Sequence, residues 1–188
     1  MMDEAVRQAL EQAADPIAQP SEYQELLLKL AGDGDPAALQ AGQPDELAGL
    51  LDRARDDLRT RPGPDEWSVL ECAGHVLDAE VVCAARYRWI LAHDQPPLIG
   101  YDQDLWVTRL RHQEDDPAEL VALFRALRRS HVELWRRTSE ADRSRVGIHA
   151  ERGPESFDLT FRMLAGHGVL HLAQAERSLE AVRALRTD

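Results

Sequence analysis

The sequence predicts an all-α protein folded as a four-helix bundle. In four long segments, apolar residues recur every three to four positions, as on the buried face of a helix. No segment of any length alternates with the period of a β-strand. A long crossover, residues 94–116, separates the second of these segments from the third and carries a short helix around residues 102–112.

The N-terminal end is expected to form an arm that precedes the bundle domain. Residues 1–20 predict an arm, in which a short helical stretch ends at the helix breakers Pro16 and Pro20. Residues 21–188 then predict one helical bundle domain, since 188 residues suffice for a single well-buried core.

Two helices are expected before the first strong capping signal. Residues 21–31 predict a short helix that Gly32 and the following turn residues end. The first long helix is predicted to begin at Gln43, with Pro44 at its first position, because proline is preferred there. It should end after about four turns, before Arg61.

Capping residues mark the starts of the remaining long helices. Ser68 and Glu71 have the spacing of a capping box at the start of the second one. Asp116 opens the third by the same logic, and Ser156 the last. The segment before that last helix, residues 140–155, is rich in Asp, Arg and Gly and is expected to be a loop.

Charge and hydropathy exclude some classes of partner. The chain has 22 basic and 34 acidic residues, a net charge of −12, and no basic cluster, which argues against nucleic acid and anionic membrane surfaces. The N-terminus has no apolar stretch typical of a secretory signal, and no apolar run is long enough to span a membrane. These features predict a soluble, cytoplasmic protein.

The two cysteines are not expected to form a disulfide. Cys72 and Cys83 are eleven positions apart on one predicted helix, which places them about 16 Å from each other along its axis. A disulfide needs Cα atoms within roughly 7 Å. Both are therefore expected to be buried thiols in a reducing compartment.

Three histidines carry the strongest functional signal. His167 and His171 lie four positions apart on the last helix, so their rings project from one face. His75 lies near the start of the second long helix and could reach them if the two helices pack together. Three imidazoles would make a metal site with an open position for water or substrate, although a histidine taken alone is more often structural. A hydrogen bond to a carboxylate could satisfy the same rings.

The other histidines are weaker candidates. His93 and His112 fall near helix ends, where they could cap carbonyl groups. His131 is expected to be partly exposed on the third helix. His149 lies on a polar segment before the last helix; it could face the metal site, but a surface loop is the commoner place for such a residue.

A few other side chains could support the site. Asp78 has a spacing from His75 that suits a hydrogen bond to a metal ligand, whereas Glu80 is expected to be solvated or paired with an arginine. Tyr101, Asp102 and Trp106 in the crossover could line a pocket or anchor the crossover to the bundle.

These residues occur in three segments that resemble the DinB-like superfamily of damage-inducible four-helix metalloproteins. Residues 66–80 resemble its tryptophan-led helix with the first histidine, residues 96–106 its crossover, and residues 165–174 its His-x-x-x-His helix. The three segments occur in the family's order, and the likeness spans about residues 40–185.

The resemblance implies a four-helix bundle with up-down-down-up topology and a long crossover between helices two and three. It also implies a divalent metal, namely nickel, zinc, iron or manganese, held by His75, His167 and His171 with water completing the shell. One residue departs from the family pattern. Gly168 stands where relatives often carry a polar residue, so the supporting role of that polar side chain is not expected in this chain.

The resemblance also implies several functions. Relatives include bacillithiol transferases, mycothiol-dependent maleylpyruvate isomerases and metal-dependent hydrolases, and many form homodimers. The chain is therefore expected to be a metal-dependent thiol S-transferase or hydrolase acting on a small molecule, with a low-molecular-weight thiol as a candidate cofactor. A non-catalytic metal-binding module for stress response or interaction, and a plain bundle with structural histidines, are the alternatives.

Overall fold

A computed structural model describes residues 18–186 together with Val6 and Pro16. The predicted arm therefore lies almost wholly outside the described residues, and its boundary with the domain stays a prediction. The helices of the described residues are α1 (Pro20–Ala31), α2 (Pro36–Ala54), α3 (Val69–Ala92), α4 (Gln103–Arg109), α5 (Pro117–Arg137), α6 (Glu140–Arg143) and α7 (Phe157–Ala184).

The four long helices α2, α3, α5 and α7 form the bundle. Both α2 and α3 pack against α5 and α7, while α1 packs along α7. Residues 93–116 connect α3 to α5 and carry α4 and the 3₁₀ turn His112–Glu114. The predicted all-α fold class, with its up-down-down-up bundle and long crossover, is confirmed.

The predicted helix starts depend on side-chain caps, and three of them are confirmed. Ser68 and Glu71 form a reciprocal capping box at the start of α3. The side chain of Asp116 accepts from the backbone N–H groups of Ala118 and Glu119 at the start of α5. Ser156 caps α7. Each cap satisfies N–H groups that have no partner within the helix.

The predicted start of the first long helix at Gln43 is wrong. The helix begins at Pro36, where the Oδ1 atom of Asp35 accepts from the N–H of Ala37 at 2.9 Å. Pro44 lies inside the helix and is buried. Gln40 and Gln43 donate to carbonyl oxygens of α7, and this packing against α7 outweighs the break that proline favours.

The expectation of no strands and of a plain loop over residues 140–155 is also wrong. That segment contains α6 and a hairpin of β2 (Val146–His149) and β3 (Gly153–Ser156). β1 (Pro97–Leu98) in the crossover pairs with β2 in parallel. The strands have two to four residues each, which is too short for an alternating pattern to emerge. This small sheet ties the crossover to the segment that leads into α7.

The core has two large apolar clusters in the bundle. One contains Leu47, Leu70 and Phe124, and the other contains Tyr87 and Phe161 with their apolar neighbours. Along α3 and α7, the positions between the clusters carry buried polar side chains. Among the residues the structure describes, no helix has the length and apolar character needed to cross a bilayer.

Candidate metal centre

The structure brings the three predicted histidines together in the middle of the bundle. His75 comes from α3, and His167 and His171 lie one turn apart on α7. All three are buried, and one nitrogen of each lies within 4.8 Å of the other two. The Nε2 atoms of His75 and His167 are 3.0 Å apart. The packing of α3 against α7, which the periodicity alone left open, is what joins them.

This geometry fits a metal ion. Two nitrogens that each lie about 2.0–2.1 Å from one zinc ion are roughly 2.8–3.4 Å apart at octahedral to tetrahedral angles. The 3.0 Å between the Nε2 atoms of His75 and His167 falls in that range. On His171, Nδ1 lies 2.7 Å from Oε1 of Gln174. Nδ1 therefore donates to Gln174, and the Nε2 lone pair is left to bind an ion.

Burial keeps the three rings neutral. Desolvation, followed by the mutual repulsion of the cluster, lowers the pKa of His75 and of His167 well below the ordinary value. Desolvation also lowers the pKa of His171 to about 4. Neutral imidazoles are the form that binds a metal. No carboxylate or thiol of the described residues joins the cluster.

Glycines let neighbouring groups approach the histidine helices closely. A Cβ on Gly166 would lie 1.9 Å from the carbonyl oxygen of Leu27, so α1 packs directly against α7 beside His167. A Cβ on Gly168 would lie 2.3 Å from Oε1 of Gln43. The departure from the family pattern at Gly168 thus makes room for a glutamine side chain from α2.

Helix α1 adds a residue that the sequence did not single out. Tyr23 is buried, and its hydroxyl lies 3.5 Å from Nε2 of His171. Burial raises the pKa of this phenol well above its usual range. Its place in the sequence, at the first turn of a short helix before the bundle, carried no signal of this contact.

A pocket of about 90 Å³ lies beside His75 and His167. Its walls come from α1, α3, α7, the crossover and the hairpin. Tyr101 lines the pocket, as suggested. Its ring packs on Trp106 of the same crossover at 4.5 Å between centroids. Asp102 instead caps α4 by accepting from the N–H of Leu105.

His149 lies in the pocket wall, not on an exposed loop. It is buried on β2, and its Nε2 atom lies 3.1 Å from Nη2 of Arg86. Desolvation and the nearby Arg152 lower the pKa of His149 to about 4. The surface placement expected for it is wrong because the unpredicted hairpin folds over the pocket.

His112 and Asp78 bind each other and not the histidine cluster. Nε2 of His112 lies 2.8 Å from Asp78, and Nδ1 lies 2.7 Å from Asp115. Gly74 leaves space for this ring, since a Cβ there would lie 2.4 Å from it. The pair fastens the crossover to α3, so the suggested support of His75 by Asp78 is not seen.

Glu80 and His131 form a separate buried group. Both are 0% exposed, so the expected partial exposure of His131 is wrong. One carboxylate oxygen of Glu80 lies 2.9 Å from Nε of the buried Arg128, and the other contacts Nδ1 of His131. The expected pairing of Glu80 with an arginine is correct. His93, by contrast, is exposed at the end of α3.

The fold and the site together define a class: a helical bundle with a buried three-histidine cluster open to a pocket. Residues 38–175 match the DinB superfamily. The chain belongs to the DinB superfamily, as the three sequence segments predict. No curated protein matches the chain in sequence.

A solved structure has the same fold. YfiT from Bacillus subtilis superposes with a TM-score of 0.70 over 88% of this chain and 89% of its own, at 17% identity. It is described as a probable metal-dependent hydrolase with an unusual four-helix bundle topology. At this identity the likeness is one of fold.

Proposed function

We propose that this chain is a metal-dependent enzyme that acts on a small molecule at a divalent ion bound by His75, His167 and His171. The observation that carries the proposal is the meeting of three buried, neutral imidazoles beside a pocket. Three protein nitrogens leave coordination positions open, as in catalytic metal sites. The description of YfiT as a probable metal-dependent hydrolase supports the same class of chemistry.

A divalent ion at this site supplies Lewis acidity and lowers the pKa of a coordinated water or thiol toward neutrality. The chain itself offers no thiolate. Burial raises the pKa of Cys83, which lines the pocket, to about 11, and that of Cys72 to about 12. The roles left to the chain's residues are to hold the ion, to exclude water with apolar walls and to orient the substrate.

Two reactions fit these roles. Hydrolysis comes first, because it needs only water besides the substrate. Transfer of an added low-molecular-weight thiol is the second candidate. No carboxylate of the described residues belongs to the cluster, where it could act as a general base. A thiol brings its own nucleophilic sulfur and needs no such base once ionised.

The test is metal analysis by plasma mass spectrometry, followed by assays of turnover. Wild type should contain near-stoichiometric metal, and the His167→Ala/His171→Ala variant should contain none. His93→Ala, which alters an exposed histidine, is the matched control and should retain the metal. Absence of metal from the wild type, even after addition of nickel, zinc, iron(II) and manganese, would contradict the proposal.

Turnover separates an enzyme from a metal-binding module. Nitrophenyl esters probe hydrolysis, and a bimane electrophile with an added thiol probes transfer. Activity should fall in each of His75→Ala, His167→Ala and His171→Ala. Stoichiometric metal without turnover on either probe would instead favour the non-catalytic alternative.

The homodimer, the cytoplasmic location and the lack of nucleic-acid binding stay predictions. Light scattering of the purified protein tests the first. The net charge of −12 remains the argument against nucleic acid.

A further inference from the structure

The pocket connects the histidine cluster to a buried arginine. On α3, His75, Ala79, Cys83 and Arg86 all line the pocket and recur at intervals of three or four positions. His75 and Arg86 are three helical turns apart, which is about 16 Å between their Cα atoms. Both side chains belong to the wall of the same pocket, which therefore extends from the imidazole to the guanidinium.

Among the described residues Arg86 has no ion-pair partner, unlike the buried Arg128 and the pocket-wall Arg152. Arg128 pairs with the buried Glu80, and Arg152, the other arginine of the pocket wall, pairs with the buried Glu155. Arg86 is only 6% exposed, yet no carboxylate of the described residues forms an ion pair with it. A guanidinium is charged at all ordinary pH values, and burying it without a counter-charge is costly.

The contacts that Arg86 does make are with neutral groups. Its Nη2 atom donates to the carbonyl oxygen of Ile99 at 2.6 Å and lies 3.1 Å from Nε2 of His149. Its Nε is buried and has no hydrogen-bond partner among the described residues. Burial lowers the pKa of His149 to about 4, so this ring is neutral near pH 7. The carboxylate of Glu151 also lines the pocket but lies against Gly100. The guanidinium of Arg86 therefore has no direct ion-pair partner among the described residues.

We propose that Arg86 binds an anionic group, in the first place a carboxylate, on the small molecule whose reacting group lies beside His75, His167 and His171. This inference rests on the proposed function for the position of the reacting group. A carboxylate would complete the hydrogen bonding of the guanidinium and neutralise its charge. The substrate is then an elongated, largely apolar monoanion, since apolar side chains line the wall between the two ends.

The first experiment needs no metal. Calorimetry measures the binding of mercaptooctanoate and mercaptooctanol, which share one chain and differ in the terminal group, to metal-free protein. Wild type should bind the acid at least about ten-fold more tightly than the alcohol, as expected for a hydrogen bond to a charged group. Arg86→Gln should abolish this preference and leave the affinity for the alcohol unchanged.

Two further variants distinguish a loss of anion binding from a loss of folded structure. Arg88→Gln removes an exposed charge two positions away on the same helix and should keep the preference for the acid. Should Arg86→Gln fail to fold, Arg86→Lys keeps the charge without the Nε donor and should show a smaller preference than wild type. Equal affinity of wild type for acid and alcohol, or no binding of the acid, would overturn the proposal.

The cobalt-loaded protein separates this inference from the proposed function. Thiolate binding to cobalt(II) gives an absorption band in the near ultraviolet, which both probes should produce. A preference for the acid without that band would contradict the proposed metal centre and support the anion site. The band with both probes at equal affinity would support the metal centre and overturn the anion site.

Discussion

The contact between Gln174 and His171 decides which nitrogen of this histidine is available in the cluster. Nδ1 of His171 donates to Oε1 of Gln174 at 2.7 Å, so its Nε2 carries the lone pair. Nδ1 of His75 and of His167 has no such partner among the described residues. His171 is therefore the best oriented of the three rings.

Gln174→Leu should weaken metal binding about 10- to 100-fold, because loss of the acceptor frees the ring to rotate and to change tautomer. Competition with a chelator of known affinity measures the change. Gln174→Glu keeps an oxygen acceptor and should bind metal about as tightly as wild type. Unchanged affinity in the leucine variant would show that packing alone orients His171.

His112 lies between two carboxylates, which favour the charged form of its ring. Burial opposes the charge, but the hydrogen bonds and charges of Asp78 and Asp115 outweigh burial and raise the pKa of His112 above the ordinary 6.5. A raised pKa in the folded state stabilises the fold below the unfolded-state value, and this contribution disappears as pH rises through the folded-state value.

The free energy of unfolding should therefore contain a component that falls with rising pH in wild type and is missing in His112→Asn. Urea denaturation at a series of pH values from about 6 to about 9 measures it. His93→Asn, at an exposed histidine, should follow the wild-type profile. Identical pH profiles for wild type and His112→Asn would contradict this contribution of His112 to the stability of the fold.

The sequence predicted the three histidines but not most of their surroundings. The spacing of His167 and His171, together with the resemblance to a family, was sufficient to predict that the three histidines lie together. For Glu80 the sequence left two alternatives, solvation or pairing with an arginine. It could not decide between them because the partner, Arg128, lies 48 positions further on. Tyr23 was missed for the same reason: its contact with His171 depends on tertiary packing, which no local pattern encodes.

Helix α1 can pack closely beside the histidine cluster because α7 has a glycine at the point of contact. The Leu27 carbonyl occupies the space where a side chain at Gly166 would begin, and Tyr23 of the same helix reaches His171. The position of α1 therefore closes one side of the histidine cluster.

Gly166→Ala should push α1 away from α7 and destabilise the fold by about 1–3 kcal/mol, as overpacking does in other cores. The free energy of unfolding in urea measures the loss. Gly49→Ala is the control, since a Cβ there meets only the flexible end of Arg53 at 3.7 Å. It should be neutral or stabilising by up to about 1 kcal/mol. Equal stability of the two variants would contradict the close packing of α1.

Among the elements, helices with side-chain caps were predicted best. Ser68, Asp116 and Ser156 mark true starts because each cap is a local interaction. The start of α2 was predicted wrongly from Pro44, which lies inside the helix. The true start is marked by Asp35, which caps the helix, and by the proline that follows it. The hairpin was missed because its strands are short and are stabilised by pairing with the distant crossover.

A small layer of buried charged and polar side chains joins two of the long helices of the bundle. Glu80, Arg128 and His131 are nearly or fully inaccessible to solvent, and the ion pair joins α3 to α5. Such a group is costly to bury, but it is more costly to break, because the remaining charge then lacks a partner.

Glu80→Gln should cost about 3–5 kcal/mol, because it leaves Arg128 charged and unpaired in the core. Glu80→Leu combined with Arg128→Met should recover most of that loss. Glu133→Gln breaks an exposed ion pair with Arg136 and should change stability by less than about 1 kcal/mol. Urea denaturation compares all three, and a small effect of Glu80→Gln would show that the layer contributes little to stability.

The positions of the histidines in the chain have a thermodynamic consequence. His75 and His167 are 92 positions apart in a chain of 188 residues, so a shared ion would be a reversible cross-link that closes about half of the chain into a loop. Unfolding would have to release that ion, and at a hundred-fold excess of free metal over its dissociation constant the folded state would gain about 2.7 kcal/mol. The melting temperature would then rise with the concentration of free metal. In a cell starved of the ion, the same chain would unfold more often and be degraded sooner.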